Sequence, residues 1–226
     1  MNEHFFLDGY DIDTCILANE EWMDNLLRKV NKLYFDGKGK VVLIPYFNGK
    51  IKEDGGVSGI VLGNNSHFTC HTFCYKNTIF VDYFGDINNF NNIKEKVLDV
   101  YSTDDYDLCK DKNNTDGNFG KHIIIKNGSF LSYEESKRLI SRILVDIQMT
   151  PINEVITNYV DDMHFDLLQP IAESHISIHR NDNIMIIDVF SCKWFDEKKL
   201  LKLVNVNTYD KVCRGIKYIT DVTIQT

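Results

Sequence analysis

The sequence predicts an α+β fold built from two like halves, each an antiparallel sheet with helices on its outer face. Three observations predict it. One motif is written twice, as Asn65-Ser66-His67-Phe68-Thr69-Cys70-His71 and, 108 positions on, as Glu173-Ser174-His175-Ile176-Ser177-Ile178-His179. The order of strand-like and helix-like segments around each copy is the same, the mark of a repeated unit. A polar stretch over 103–119, rich in Asn, Asp and Gly, reads as the linker between a first half, 1–102, and a second, 120–226.

Each half opens with a short strand that carries a histidine, His4-Phe5-Phe6 and His122-Ile123-Ile124-Ile125. An amphipathic helix follows. Trp22, Leu26, Leu27, Val30 and Leu33 recur at helical spacing in the first half, and Leu139, Ile140, Ile143, Leu144 and Ile147 in the second. Four strands come next: 41–44, 59–62, 68–72 and 78–84, matched by 155–160, 164–169, 175–179 and 184–190. A second helix closes each half, near 91–101 and 196–204. Hairpin-like spacing makes the sheets antiparallel. A sheet with helices on one face needs cover on the other, and packing two such sheets together gives a four-layer α/β/β/α sandwich or an equivalent side-by-side pair.

Bulk properties narrow the function classes. A chain of 226 residues, 43% hydrophobic, can bury a substantial core. Its net charge of −8 argues against a nucleic-acid partner, which calls for clustered Lys and Arg. No run approaches the ~20 apolar residues of a membrane span. Met1-Asn2-Glu3-His4 lacks the basic flank of a signal peptide, so a cytoplasmic location is expected. The six cysteines (15, 70, 74, 109, 192 and 213) are dispersed without zinc-finger spacing, and no metal is expected.

Ser-x-x-x-x-His, the pattern shared by Ser66/His71 and Ser174/His179, has several readings. Residues five apart on a regular strand face opposite ways, so Ser174 and His179 cannot form a nucleophile–base pair within one strand. No Gly-x-Ser-x-Gly elbow is present. A metal site of His67, His71, His175 and His179 is geometrically conceivable. A plain buried strand accounts for the pattern equally well.

Resemblance to a family adds to this. Glu173 to His179, followed by Asp188-Val189-Phe190-Ser191-Cys192, resembles the processing and active-site signature of bacterial S-adenosylmethionine decarboxylases. Gly120 to Ile125 is similar to that family's first strand, and Gly56-Val57-Ser58-Gly59 to the stretch upstream of its cleaved serine. The resemblance implies a self-processing pyruvoyl enzyme. The Ser174 hydroxyl would attack the Glu173 carbonyl, the chain would split into 1–173 and 174–226, and Ser174 would become the pyruvoyl group. That ketone would hold the substrate amine as a Schiff base and accept the electrons released with CO2. Cys192 would return the proton to the product carbon; read alone, Cys192 is a buried small hydrophobe.

The two copies divide the family's residues. The family pairs a cleaved Ser and a Cys with a helper Ser and His from a second unit. Here the second half holds Glu173, Ser174 and Cys192 but has Asp166 at the helper-serine position. The first half holds helper Ser58 and His71 but has Asn65 in place of Glu and Asp86 in place of Cys. Ser174 and Cys192 with Ser58 and His71 make one complete set; the converse set is broken. Ser66 and His179 are then remnants or structural. Phe6-Leu7-Asp8-Gly9-Tyr10-Asp11 is similar to an acidic turn of eukaryotic members, which would bring Phe6, Asp8 and Asp11 to the substrate or to processing; a solvated turn explains it as well. Two grips on the nucleoside depart from the family pattern, with Lys52 in place of a stacking aromatic (Phe47 lies five residues back) and Tyr75 in place of a ribose-binding Glu.

The expected function is decarboxylation of S-adenosylmethionine to supply aminopropyl groups for spermidine. Arginine or ornithine decarboxylation on the same machinery is the alternative, and a catalytically dead homologue that binds a partner is another. The expected assembly is a monomer of the processed two-chain form or a homodimer, with no partner beyond a small molecule.

Overall fold

Period-two burial of apolar side chains organises both halves of the chain. The computed structural model describes residues 2–47, 55–108, 120–126, 130–172, 174–206 and 208–214. In chain order the first half holds β1 (Asn2–Gly9), α1 (Thr14–Leu17), α2 (Glu20–Tyr34), β2 (Lys40–Tyr46), β3 (Gly56–Gly63), β4 (Ser66–Phe73), β5 (Thr78–Asp86), α3 (Ile87–Tyr101) and β6 (Tyr106–Leu108). The second holds β7 (Gly120–Lys126), α4 (Tyr133–Asp146), β8 (Ile156–Asp161), β9 (His164–Ile171), β10 (Ser174–Asn181), β11 (Ile184–Ser191), α5 (Glu197–Val204) and β12 (Asp210–Arg214).

The halves form two units, Met1–Leu108 and Cys109–Thr226. Each contains a six-stranded antiparallel sheet, ordered β2-β3-β4-β5-β1-β6 in one and β8-β9-β10-β11-β7-β12 in the other. Matching strands occupy matching places, and the α+β class expected from the sequence is the one adopted. The first unit reaches further than the expected boundary at 102, because β6 pairs with β1 through Leu7↔Leu108. Thr103, expected in the linker, is buried and donates to the Tyr10 carbonyl at 2.9 Å. The rest of the expected linker, 109–119, lies outside the described residues.

Helices cover one face of each sheet. On α2 the buried stripe is Met23, Leu26, Leu27 and Val30, spaced i, i+3, i+4, i+7. Trp22 and Leu33, expected on this face, are 40% and 55% exposed. They flank the stripe, and Met23 takes the place given to Trp22. Burying each of these aliphatic side chains contributes about 1.5–3 kcal/mol. The Asn19 side chain starts the helix by accepting the Trp22 N–H at 3.1 Å. On α4, Leu139, Ile140 and Ile143 are buried, and a Ser132/Glu135 capping box satisfies the first turn. No helix among the described residues is long and apolar enough to cross a membrane.

The opposite face of each sheet is also buried, and it carries polar side chains among apolar ones. In the first unit, Phe5, Leu7, Phe68, Cys70, Val81 and Tyr83 join the helix-side core. Alternation therefore turns His4, Phe6, Asp8, His67, Thr69, His71 and Asp82 the other way. In the second unit Ile123, Ile176, Ile178, Ile187 and Val189 make the core. His122, His175, Ser177, His179 and Asp188 look away from it, all at most 1% exposed.

Candidate active site

Strand register assembles the expected residues of the first unit. Ser58 pairs with His71, His71 with Phe80, and Phe80 with Asp8, so one row crosses β3, β4, β5 and β1. Within that row the His71 Nδ1 lies 2.9 Å from the Ser58 Oγ. His71 is buried and Ser58 half-buried. Close approach of strands sets this geometry. A Cβ on Gly56 would stand 1.8 Å from the Thr72 carbonyl oxygen, so only glycine fits where β3 meets β4. The Thr72 hydroxyl accepts the Val57 N–H at 2.7 Å and pins the same corner.

The equivalent row of the second unit differs in chemistry. Asp166 pairs with His179, and His179 Nδ1 contacts Asp166 Oδ1 at 2.7 Å. A carboxylate beside imidazole makes a buried polar pair in which Asp166 stands where the first unit has the Ser58 hydroxyl. The exchange of Ser58 for Asp166, read from spacing, is thus an exchange at one geometric position.

Ser174 stands out in the backbone. It begins β10 with φ of 149°, a value that L-residues rarely adopt. Holding a non-glycine residue there costs about 1–3 kcal/mol. The side chain is 1% exposed, and its Oγ has no hydrogen-bond partner among the described residues. Leaving a buried hydroxyl unpaired costs about 1–3 kcal/mol more. Upstream, the Ala172 N–H donates to the Thr150 carbonyl at 2.8 Å and fixes the approach to the turn. Glu173 lies outside the described residues.

Ser174 pairs across the sheet with Ser191, which places Cys192 one residue past that pair at the end of β11. The Ser191 hydroxyl donates to the Lys193 carbonyl at 2.9 Å and accepts the Lys193 N–H at 3.0 Å. This clasp fixes the half-buried Cys192 in a tight turn. A Cβ on Gly120 would come within 3.0 Å of the Ser191 carbonyl and 3.4 Å of the Cys192 Cα, so the start of β7 leaves that turn its room. Asp86, at the matching place in the first unit, instead caps α3 by accepting the Asn88 N–H at 3.0 Å.

The acidic segment near the N-terminus departs from the expected turn. Asp8 lies inside β1 and is fully buried, while Asp11 takes the left-handed conformation at φ 53°. Gly9 is a strand residue, needed because a Cβ there would stand 2.9 Å from the Ile79 side chain. Phe6 is buried, with its ring stacked 5.9 Å from that of His4. Tyr75 is 70% exposed on the 3₁₀ turn Cys74–Lys76, and Phe47 is 46% exposed. Lys52 lies outside the described residues.

Sequence reasoning missed a set of buried polar contacts. His67 Nε2 lies 2.9 Å from Asp82 Oδ2 in the first unit. In the second, Asp188 takes a short contact from His122 Nε2 and one of 3.4 Å from His175 Nε2, and Arg214, fully buried, reaches the His122 Nδ1 at 3.3 Å. The signal was present: both opening strands carry a histidine, and Asp82-Tyr83-Phe84 matches Asp188-Val189-Phe190 in beginning with aspartate.

Comparison with known proteins bears on these residues. The family model described as S-adenosylmethionine decarboxylase matches residues 3–108, slightly under half of the chain and nearly all of the first unit. No curated protein matches the sequence. Among solved structures, the crystal structure of the adenosylmethionine decarboxylase from Aquifex aeolicus VF5 is 17% identical, covers 51% of this chain and 98% of its own, and has a TM-score of 0.39, too distant to carry weight. The match falls on the unit with Ser58 and His71, while Glu173 and Ser174 lie in the other. The first unit is thus what resembles the S-adenosylmethionine decarboxylase family.

Proposed function

We propose that the chain is a self-processing decarboxylase of S-adenosylmethionine that cleaves itself between Glu173 and Ser174. The observation that carries this reading is Ser174 itself, with its buried, unpartnered hydroxyl and a backbone angle of 149° at the residue the family signature marks. A hydroxyl that makes no hydrogen bond is unencumbered as a nucleophile, and a strained peptide gains from rearrangement. Attack of Oγ on the Glu173 carbonyl carbon breaks the amide C–N bond and forms an ester. Removal of the Ser174 α-proton then expels the Glu173 carboxylate, and hydrolysis of the resulting enamine releases ammonia and leaves a ketone on residue 174. That pyruvoyl group supplies the electron sink for loss of CO2.

The remaining roles follow the division between the copies. Ser58 and His71 assist processing, with the 2.9 Å contact between them as support. The Cys192 Sγ–H delivers a proton to the product carbon, and the Ser191 clasp around it supports that assignment. Asp8, in the same cross-strand row as His71, is assigned to the substrate side with Phe6; Asp11 and the exposed Tyr75 lie at its margin. The product feeds spermidine synthesis in the cytoplasm.

A specific observation supports a second substrate class. Tyr75, 70% exposed, takes the sequence position of the family's ribose-binding Glu, and a site without that carboxylate suits arginine or ornithine on the same machinery. Side-by-side assay of CO2 release from the three substrates separates these readings. The intact mass of the purified protein tests the processing step. A 26.3 kDa chain that persists on prolonged incubation, with no CO2 from any substrate, overturns the enzyme and leaves the dead homologue.

A further inference from the structure

We propose that Arg214, His122, Asp188 and His175 form a positioning relay that holds Ser174 in its strained conformation, so that self-cleavage waits on docking of strand β12. The inference rests on the self-processing reading and extends it to residues that reading leaves idle. Arginine only donates hydrogen bonds, so a guanidinium nitrogen 3.3 Å from the His122 Nδ1 requires a lone pair there. The ring proton of a neutral His122 then sits on Nε2, pointed at Asp188. Asp188 reaches His175 Nε2 with its other oxygen, at 3.4 Å. A buried guanidinium is in this way linked to a buried carboxylate through one imidazole.

Packing locks the relay in place. His122 stacks on Phe190 with ring centroids 5.0 Å apart, and the Arg214 guanidinium lies 4.8 Å from the same ring. Register puts His175, Phe190 and His122 in one cross-strand row. The adjacent row is Ser174, Ser191 and Lys121. His175 is the residue directly after Ser174, so anchoring its ring fixes the downstream side of the strained bond. Arg214 pairs with Gly120 at the end of β12, the last strand described. Docking of that strand is what brings the guanidinium to the His122 end of the row.

The test measures the rate of splitting between 173 and 174 in the full chain, by intact mass at timed intervals after synthesis. His122→Phe keeps the ring stack but neither hydrogen bond, and is expected to split about tenfold more slowly. His122→Gln, which restores an N–H toward Asp188, is expected to recover to within about threefold of the unaltered chain. A folded His122→Phe chain that splits at the unaltered rate overturns the proposal, as does an equal slowing in both variants. Should His122→Phe fail to fold, Arg214→Met decides: slowing of similar size supports the relay, and an unchanged rate overturns it. An unaltered chain that never splits removes the self-processing reading itself, which separates the two failures.

Discussion

Ser66 and Ser174 open matching strands in two sheets of the same order, yet their surroundings are opposite. The turn before Ser66 is Asn64-Asn65, and Asn65 carries the left-handed angle at φ 49°. Asparagine tolerates that conformation well. Ser66 is left with ordinary backbone, and its hydroxyl donates to the Asn64 carbonyl at 3.1 Å. In the second unit the positive φ falls on the serine, and its hydroxyl is left without a partner. The difference teaches that a copied motif keeps or loses chemistry according to which residue bears the strain of the turn.

Substituting the two serines gives the sharpest way to break the comparison. Ser174→Ala is expected to remain a single 26.3 kDa chain, whereas Ser66→Ala splits as the unaltered protein does. Intact mass distinguishes them, and splitting at 173 in Ser174→Ala would place the reactive residue elsewhere. The histidines sharpen the contrast at smaller scale. His71→Ala is expected to slow splitting by about a hundredfold, the usual worth of a positioned acid–base group. His179→Ala leaves Asp166 without its 2.7 Å partner, and is expected to lower stability by about 1–3 kcal/mol while splitting continues. Timed mass spectra and denaturant melts report the two effects separately.

The smallest contrast lies in the cores. Cys70 and Ile178 hold the same place in the repeat, both fully buried. Burial pushes the Cys70 thiol up to about 12, with its Sγ–H donating to the Tyr101 hydroxyl at 3.8 Å. A thiol whose folded value lies above its unfolded one favours the folded state at low pH. That contribution is intact below the ordinary thiol value near 9.0 and is lost as pH rises from there toward about 12. The first unit is therefore expected to lose stability above about pH 9, a slope made shallower in Cys70→Ala while the raised Tyr83 and Tyr101 keep part of it. A melt that shows the same alkaline slope with and without Cys70 would assign the slope to other groups.

Much of this was legible in the chain. Every strand and helix expected from periodicity formed, and the two sheets repeat one strand order. Other features were not legible for particular reasons. The α2 stripe shifted from Trp22 to Met23 because helical spacing fits several neighbouring phases until a sheet chooses one. Asp8 was expected in a turn but is buried in β1, since its strand length is set by pairing with β5 rather than by local polarity. Strand β6 escaped notice because three residues carry no period of their own.

The sequence by itself determined the duplicated strand order and the residue identities at each copy of the motif. Those follow from alternation and spacing, which are local properties of the chain. Only the tertiary structure decided that Ser174 carries a strained backbone and a hydroxyl unpaired among the described residues, and that His122 meets Arg214 across 92 positions of sequence and Asp188 across 66. Strain and burial depend on which strands close around a residue, and no local pattern encodes that.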